Sequence, residues 1–140
     1  MELPFNGYVI SDDKSRLDLE TIRRFLAASY WASERPAETI ARSIEFSVCY
    51  GIYDSDGRQV GFARVVTDWA TVYYVADVYI DERHRGQGLG KRLVETIVNE
   101  YEGMMGVLGT LDAHGLYERF GFARNAERLM NRKPQTANLR

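Results

Sequence analysis

The sequence predicts an α/β fold in which helices flank a sheet of mixed strand direction. Three observations carry that prediction. Residues 71–81, TVYYVADVYID, form a long run of β-branched and aromatic side chains and read as the principal strand. At 89–101, Leu89, Leu93, Val94, Ile97, Val98 and Tyr101 share one face, while Lys91, Arg92, Glu95 and Glu100 take the other, which describes an amphipathic helix. Between the two lies RHRGQGLGK, with glycine at 86, 88 and 90, a turn leading from strand to helix.

The remaining elements follow in chain order. Residues 8–10 read as a short first strand, and DDKS at 12–15 as the polar turn after it. From about Asp18, the residues Leu19, Ile22, Phe25, Leu26 and Tyr30 recur at three- and four-residue spacings, so a first helix is expected. Pro36, where a missing N–H costs little, starts a second helix that turns Ile40, Ala41, Ile44 and Val48 or its neighbours inward. Residues 47–53 and 59–66 are rich in strand formers, and DSDG between them predicts an antiparallel hairpin. Beyond the long helix, residues 104–111 suggest a strand, 113–120 a short helix ended by Gly121, and Leu129 with Met130 a last strand before a flexible tail at 134–140. Residues 1–140 read as one domain without repeats.

Composition narrows the function. The chain is 45% apolar and 27% charged, with a formal net charge of −2, so nothing global favours nucleic acid and any anion site must be local. The amino-terminal residues lack a cationic region followed by an apolar core, and no apolar run nears the ~20 residues that cross a bilayer. One cysteine, Cys49, permits no internal disulfide. The expectation is a cytoplasmic protein with neither membrane nor nucleic acid as partner.

A glycine-rich turn at a helix start presents backbone N–H groups to a ligand, and the helix dipole adds about half a positive charge there. Arg83, His84, Arg85, Lys91 and Arg92 surround this turn with cations. The spacing excludes two common phosphate binders. Three residues rather than four separate Gly86 from Gly90, and Arg92 follows Lys91 where a P-loop has Ser or Thr. The pattern is also G-x-G-x-G rather than the dinucleotide G-x-G-x-x-G.

Arg85-Gly-Gln-Gly88-Leu-Gly90 resembles the R/Q-x-x-G-x-G/A pyrophosphate loop of the GNAT superfamily of acyl-CoA-dependent N-acyltransferases. Asp77-Val-Tyr-Ile80 resembles that family's central strand, and Leu116-Tyr117-Glu-Arg-Phe-Gly121-Phe122 its L-Y-x-K-x-G-F signature. The resemblance implies a mostly antiparallel twisted sheet whose central strands splay apart around the pantetheine arm of acetyl-CoA. Main-chain groups of Val78 and Ile80 would pair with that arm, and the loop residues Arg85, Gly86, Gln87, Gly88, Leu89, Gly90 and Lys91 would hold the phosphates. Thr110 stands where many relatives carry asparagine, and its hydroxyl could bond the pantetheine.

The resemblance also carries Tyr117 over as the group that protonates the departing sulfur, in direct transfer to a small-molecule or peptide amine. The other reading is a non-catalytic acyl-CoA sensor, and a homodimer is plausible for this family. For the general base, Asp77 leads, because a carboxylate in an apolar strand is costly unless it has a partner or a task. A hydrogen bond to a loop or an arginine is its alternative. Alternation places Asp77 and Tyr79 on one face with Tyr73 and Val75. Asp68 and His114 are weaker candidates, and Cys49 reads as core. Tyr30, Trp31, Tyr73 and Tyr79, with Trp69, could line an aromatic acceptor pocket. None of these assignments includes a metal.

Overall fold

In the computed structural model, which describes residues 1–134, the chain begins with a hairpin that the sequence reading missed. Asn6 (φ 50°) and Gly7 (φ 83°) both adopt positive φ, the requirement of a two-residue primed turn. They join β1 (Glu2–Phe5) to β2 (Tyr8–Ser11), pairing Phe5 with Tyr8. Pro4 argues against a strand in the middle of a sheet, but β1 is the sheet edge, where a missing N–H is tolerated.

Asp18 caps α1 (Leu19–Ala27) by accepting from the Thr21 amide, as the periodicity starting there predicts. Pro36 immediately precedes α2 (Ala37–Glu45). Of the inward residues expected there, Ile40 is buried and Ile44 half-buried, whereas Ala41 is exposed and Val48 instead opens the next strand. β3 (Val48–Tyr53) and β4 (Gln59–Thr67) form the expected hairpin, with Asp54 accepting from the Asp56 and Arg58 amides in the turn. β5 (Val72–Ile80) leads through the glycine loop into α3 (Leu89–Glu100), followed by β6 (Met105–Val107) and α4 (His114–Glu118).

The six strands lie in the order β1-β2-β3-β4-β5-β6, antiparallel except for the β5–β6 pair, which is parallel. The last strand expected at Leu129 and Met130 does not form: both residues are outside any strand and exposed. With only three residues, β6 offers a short ladder to any further strand. The tail expected at 134–140 lies, apart from Pro134, outside the described residues.

Helices cover both faces of the sheet. On one, Leu89, Leu93, Ile97 and Tyr101 of the α3 segment pack on Tyr50, Ile52, Val65, Tyr73 and Val75. On the other, Ile22, Phe25 and Leu26 of α1 and Ile40 of α2 pack on Cys49 and Phe62. Each fully buried aliphatic side chain contributes about 1.5–3 kcal/mol relative to exposure.

Two irregularities of β5 shape the functional region. Its register against β4 slips between Phe62↔Tyr79 and Arg64↔Ala76, and within the bulge Asp77 takes φ 54°, unusual for a residue with a side chain. The strict alternation expected along the strand therefore fails. Tyr73 and Val75 point into the α3-side core and Val78 and Ile80 pack beside them, while Tyr79 packs on the α1 side against Phe25. In addition, β6 pairs with β5 only from Val72 to Tyr74. β5 runs on to Ile80 while β6 stops at Val107, so the two strands part.

Candidate active site

The glycine loop is built for close approach to its backbone. Asp81 accepts from the Arg83 amide and starts a short turn at Glu82–His84. Gly86 and Gly88 then adopt φ near +80° (80° and 81°), a region that costs an L-residue roughly 1–2 kcal/mol. A Cβ at Gly86 would meet open space, and one at Gly88 only the Phe5 ring, 3.7 Å away. Gly88 caps α3 without any side-chain hydrogen bond, and the first intrahelical bond is Arg92 N to Gly88 O at 3.0 Å. The amides of Leu89, Gly90 and Lys91 thus stand at an uncapped helix start, in the form of an anion cradle.

Side chains from other elements hold this loop. The Tyr8 hydroxyl of β2 lies 2.9 Å from His84 Nδ1 and donates to Gln87 Oε1 at 3.2 Å. Arg85 Nε donates to the Ile80 carbonyl at 2.9 Å, and its guanidinium lies 5.1 Å from the centre of the Tyr79 ring. Tyr8→Phe is expected to loosen the loop without removing any group that would touch a ligand, weakening several-fold the binding of an anion such as pyrophosphate in a calorimetric titration.

Where β5 and β6 part, two clefts open. One, of about 630 Å³, is lined by Val78, Ile80, Arg85, Gly88, Lys91 and Leu116. The other, of about 680 Å³, is lined by Arg35, Arg64, Asp77, Thr110 and Lys133. Tyr30, Trp31, Val78, Asp112, Ala113 and Tyr117 line both, so the clefts meet at these residues.

Tyr117, on α4, is 8% exposed, and its hydroxyl has no hydrogen-bond partner among the described residues. Burial, with the nearby Tyr30 and Asp112 adding to it, pushes its pKa up to about 12. It therefore holds its proton at neutral pH, and its O–H stands ready to hydrogen-bond or protonate a group on which negative charge develops in contact with it. Thr110 Oγ1 accepts from the Ala113 amide at 3.0 Å, positioning the start of α4 while its own O–H can still donate.

Asp77 has the arginine partners that the sequence left as one of its two alternatives. Its Oδ1 accepts from Trp31 Nε1 at 2.8 Å, and its Oδ2 from Arg35 Nη1 at 2.8 Å and Arg64 Nε at 2.9 Å. Burial alone would raise its pKa, but the Arg64 and Arg35 charges and their hydrogen bonds outweigh that and hold it below its ordinary value. Such a carboxylate is a weak base and a strong organiser. It fixes the indole and both guanidiniums at the wall of the second cleft.

Asp77→Asn keeps a residue tolerant of positive φ and removes the charge, and is expected to cost about 3 kcal/mol by removing the buried anion that both guanidiniums bond. A shifted urea midpoint at unchanged slope checks this. Because the folded pKa is depressed, the stability this carboxylate contributes is complete above its unfolded value near 4 and is lost as pH falls toward the folded value.

The other expected residues separate clearly. Trp31 and Tyr79 line the first cleft together with the half-exposed Tyr30, whose hydroxyl accepts from the Leu111 amide at 2.9 Å. Tyr73 does not reach it: this ring is 5% exposed and stacks on Tyr101 at 5.1 Å, because the bulge at Asp77 lies between it and Tyr79. Trp69, exposed, also packs toward Tyr101. Asp68 closes its own loop, accepting from the Thr71 hydroxyl and the Ala70, Thr71 and Val72 amides, which hold its pKa low. Cys49 is buried, and burial pushes its thiol up to about 11, the behaviour of core rather than of a nucleophile. His114 begins α4 and lines a different pocket, beside β6. Sequence reasoning missed Tyr8, Arg35 and Arg64. Their partners lie 76, 42 and 13 residues away, beyond any local pattern.

Comparison with known proteins agrees with this geometry. Residues 46–124 match a family model described as an acetyltransferase (GNAT) domain. A crystal structure from Xanthomonas campestris pv. campestris, of a presumed acetyltransferase belonging to the GNAT family, superposes with a TM-score of 0.85 at 38% identity, covering 94% of this chain and 95% of that one. A presumed acetyltransferase of Gibberella zeae is 30% identical over 112 residues, 66% of this chain and 63% of the relative. The chloroplastic serotonin N-acetyltransferase 2 of Oryza sativa subsp. japonica is 27% identical over 130 residues, 87% of this chain and 64% of the relative. The matches thus span just under two thirds of these two curated relatives.

Proposed function

Since this chain belongs to the GNAT acetyltransferase family, we propose that it transfers an acetyl group from acetyl-CoA to a primary amine by direct attack within a ternary complex. The observation that carries this reading is the meeting of two clefts at Tyr117, one running to the glycine loop and the other to the Asp77 cluster.

The first cleft suits the acyl donor. Uncapped amides at the start of α3, with Lys91 and Arg85 nearby, suit a pyrophosphate. The edge of β5 from Val75 to Ile80, unpaired on its β6 side among the described residues, offers main-chain groups to a pantetheine arm. For the Ile80 carbonyl to take part, Arg85 must release it.

The reaction then divides among the residues as follows. The amine nitrogen, entering through the second cleft as its neutral form, bonds to the thioester carbonyl carbon. The carbon–sulfur bond breaks, and Tyr117 gives its hydroxyl proton to the departing sulfur. The proton lost by the nitrogen passes to solvent at the cleft mouth, where Asp112 is exposed, and the Tyr117 oxygen takes a proton back from solvent before the next turnover. Asp77 takes no proton in this scheme; it acts through Trp31, Arg35 and Arg64.

Isothermal titration with acetyl-CoA, with coenzyme A and ATP in parallel, tests the donor, and thiol release in an amine panel tests turnover. Micromolar acetyl-CoA binding with ATP silent is expected. Binding without turnover of any amine would favour the sensor reading, and no binding of either coenzyme A species would remove the assignment.

A further inference from the structure

Between β6 and α4, residues 109–113 carry the chain toward Tyr117 with little packing of their own: Gly109, Leu111 and Asp112 are exposed. Within this turn Thr110 Oγ1 accepts from the Ala113 amide. Among the described residues, one hydrogen bond ties the turn to another segment: the Leu111 amide donates to the Tyr30 hydroxyl at 2.9 Å. The Tyr30 end of that bond is firmly held. Its neighbour Ser29 is 5% exposed, with a hydroxyl that donates to the Leu26 carbonyl and accepts from the Ala32 amide. On its other side, Trp31 packs edge-on against the Tyr30 ring at 5.0 Å and gives its Nε1–H to Asp77. Tyr30 thus reaches from an anchored connection, across the point where the two clefts meet, to an exposed turn.

An exposed hydrogen bond adds little to stability, so the value of this one lies in where the turn leads. Three residues past Leu111 the chain enters α4, which has five residues and no side-chain cap at its start. A helix that short has almost no stability of its own, and the turn that feeds it sets where Tyr117 stands. Resting on the acetyltransferase reading, we propose that Tyr30 is a positioning residue for acetyl transfer: its hydroxyl clasps the Leu111 amide and, through the 109–113 turn, holds α4 so that the Tyr117 O–H meets the departing sulfur. The Tyr30 ring lines the clefts, while its hydroxyl acts through Tyr117.

Tyr30→Phe tests this, because it keeps the half-exposed ring beside Trp31 and deletes only the clasp. It is compared with the unaltered protein, with Tyr117→Phe and with the double variant, by thiol release from acetyl-CoA in the amine panel. Tyr30→Phe is expected to lower kcat about 10–10²-fold, with acetyl-CoA affinity within about twofold of the unaltered protein. In the Tyr117→Phe background the same substitution should cost almost nothing further, since the residue it positions has already lost its proton donor. In ¹⁵N-labelled protein without ligand, exchange of the Leu111 amide should quicken about tenfold in Tyr30→Phe, and the amide resonances of residues 113–117 should shift. An unchanged kcat in Tyr30→Phe would overturn the proposal, as would losses that multiply in the double variant or a Leu111 amide that exchanges as before. Acetyl-CoA titration and turnover of the unaltered protein test the acetyltransferase reading separately. If that reading falls, Leu111 exchange and the 113–117 resonances still decide whether Tyr30 holds α4.

Discussion

Tyr117→Phe is expected to lower kcat by about 10²–10⁴-fold while acetyl-CoA affinity stays near that of the unaltered protein. The substitution keeps the ring, which packs edge-on against Phe122 at 5.9 Å, and deletes only the hydroxyl. A proton assists departure of the thiolate, and of the two tyrosines that line both clefts Tyr30 has its hydroxyl engaged by the Leu111 amide, whereas that of Tyr117 has no partner among the described residues. The pH profile sharpens the prediction. With its pKa pushed up to about 12, Tyr117 stays protonated well beyond the pH at which an acceptor amine begins to lose its proton. The rate should therefore climb through the neutral and mildly alkaline range without a descending limb below about pH 10. The same raised pKa makes stability independent of this group below the unfolded value near 10, with loss as pH rises toward the folded value. Full activity of Tyr117→Phe at every pH would remove the tyrosine from the chemistry.

Gly88→Glu is expected to abolish measurable acetyl-CoA binding. The residue sits at φ 81° immediately before α3, so any side chain costs roughly 1–2 kcal/mol in backbone strain. Glutamate also puts a negative charge beside the uncapped amides that would receive the phosphates. Gly88→Ala separates the two effects, because the space around a Cβ there is limited only by Phe5 at 3.7 Å. Alanine should lower the urea midpoint and weaken binding partially, whereas glutamate should leave calorimetric titrations flat in a protein that still folds. A folded Gly88→Glu that binds acetyl-CoA normally would mean that the loop does not hold the pyrophosphate.

Much of this architecture is readable before folding, because it is written in local pattern. The 3.6-residue stripe of α3, the Asp18 cap of α1 and the DSDG turn between β3 and β4 each depend on residues within a few positions of one another. So does the glycine loop, whose positive φ values at Gly86 and Gly88 need glycine whatever the surroundings. The hairpin at Asn6-Gly7 was legible on the same grounds, since Asn-Gly is a two-residue turn signal and Pro4 is compatible with an edge strand. The strand expected at Leu129 and Met130 had apolar character but no alternation to support it, and these residues stay exposed.

The second cleft is different in kind. Strict alternation would put Tyr73 and Tyr79 on one face, yet one extra residue at Asp77 sends Tyr73 into the core beside Tyr101 and Tyr79 to Phe25. Nothing local announces that bulge: Asp77 accepts φ 54° because Trp31 and Arg35 of the α1–α2 connection and Arg64 of β4 converge on its carboxylate. Read alone, the chain specifies its family, its glycine loop and its tyrosine, since each rests on neighbours in sequence. The Asp77 cluster of the second cleft arises on folding, because an ion pair's burial depends on which distant residues are brought within about 3 Å of one another.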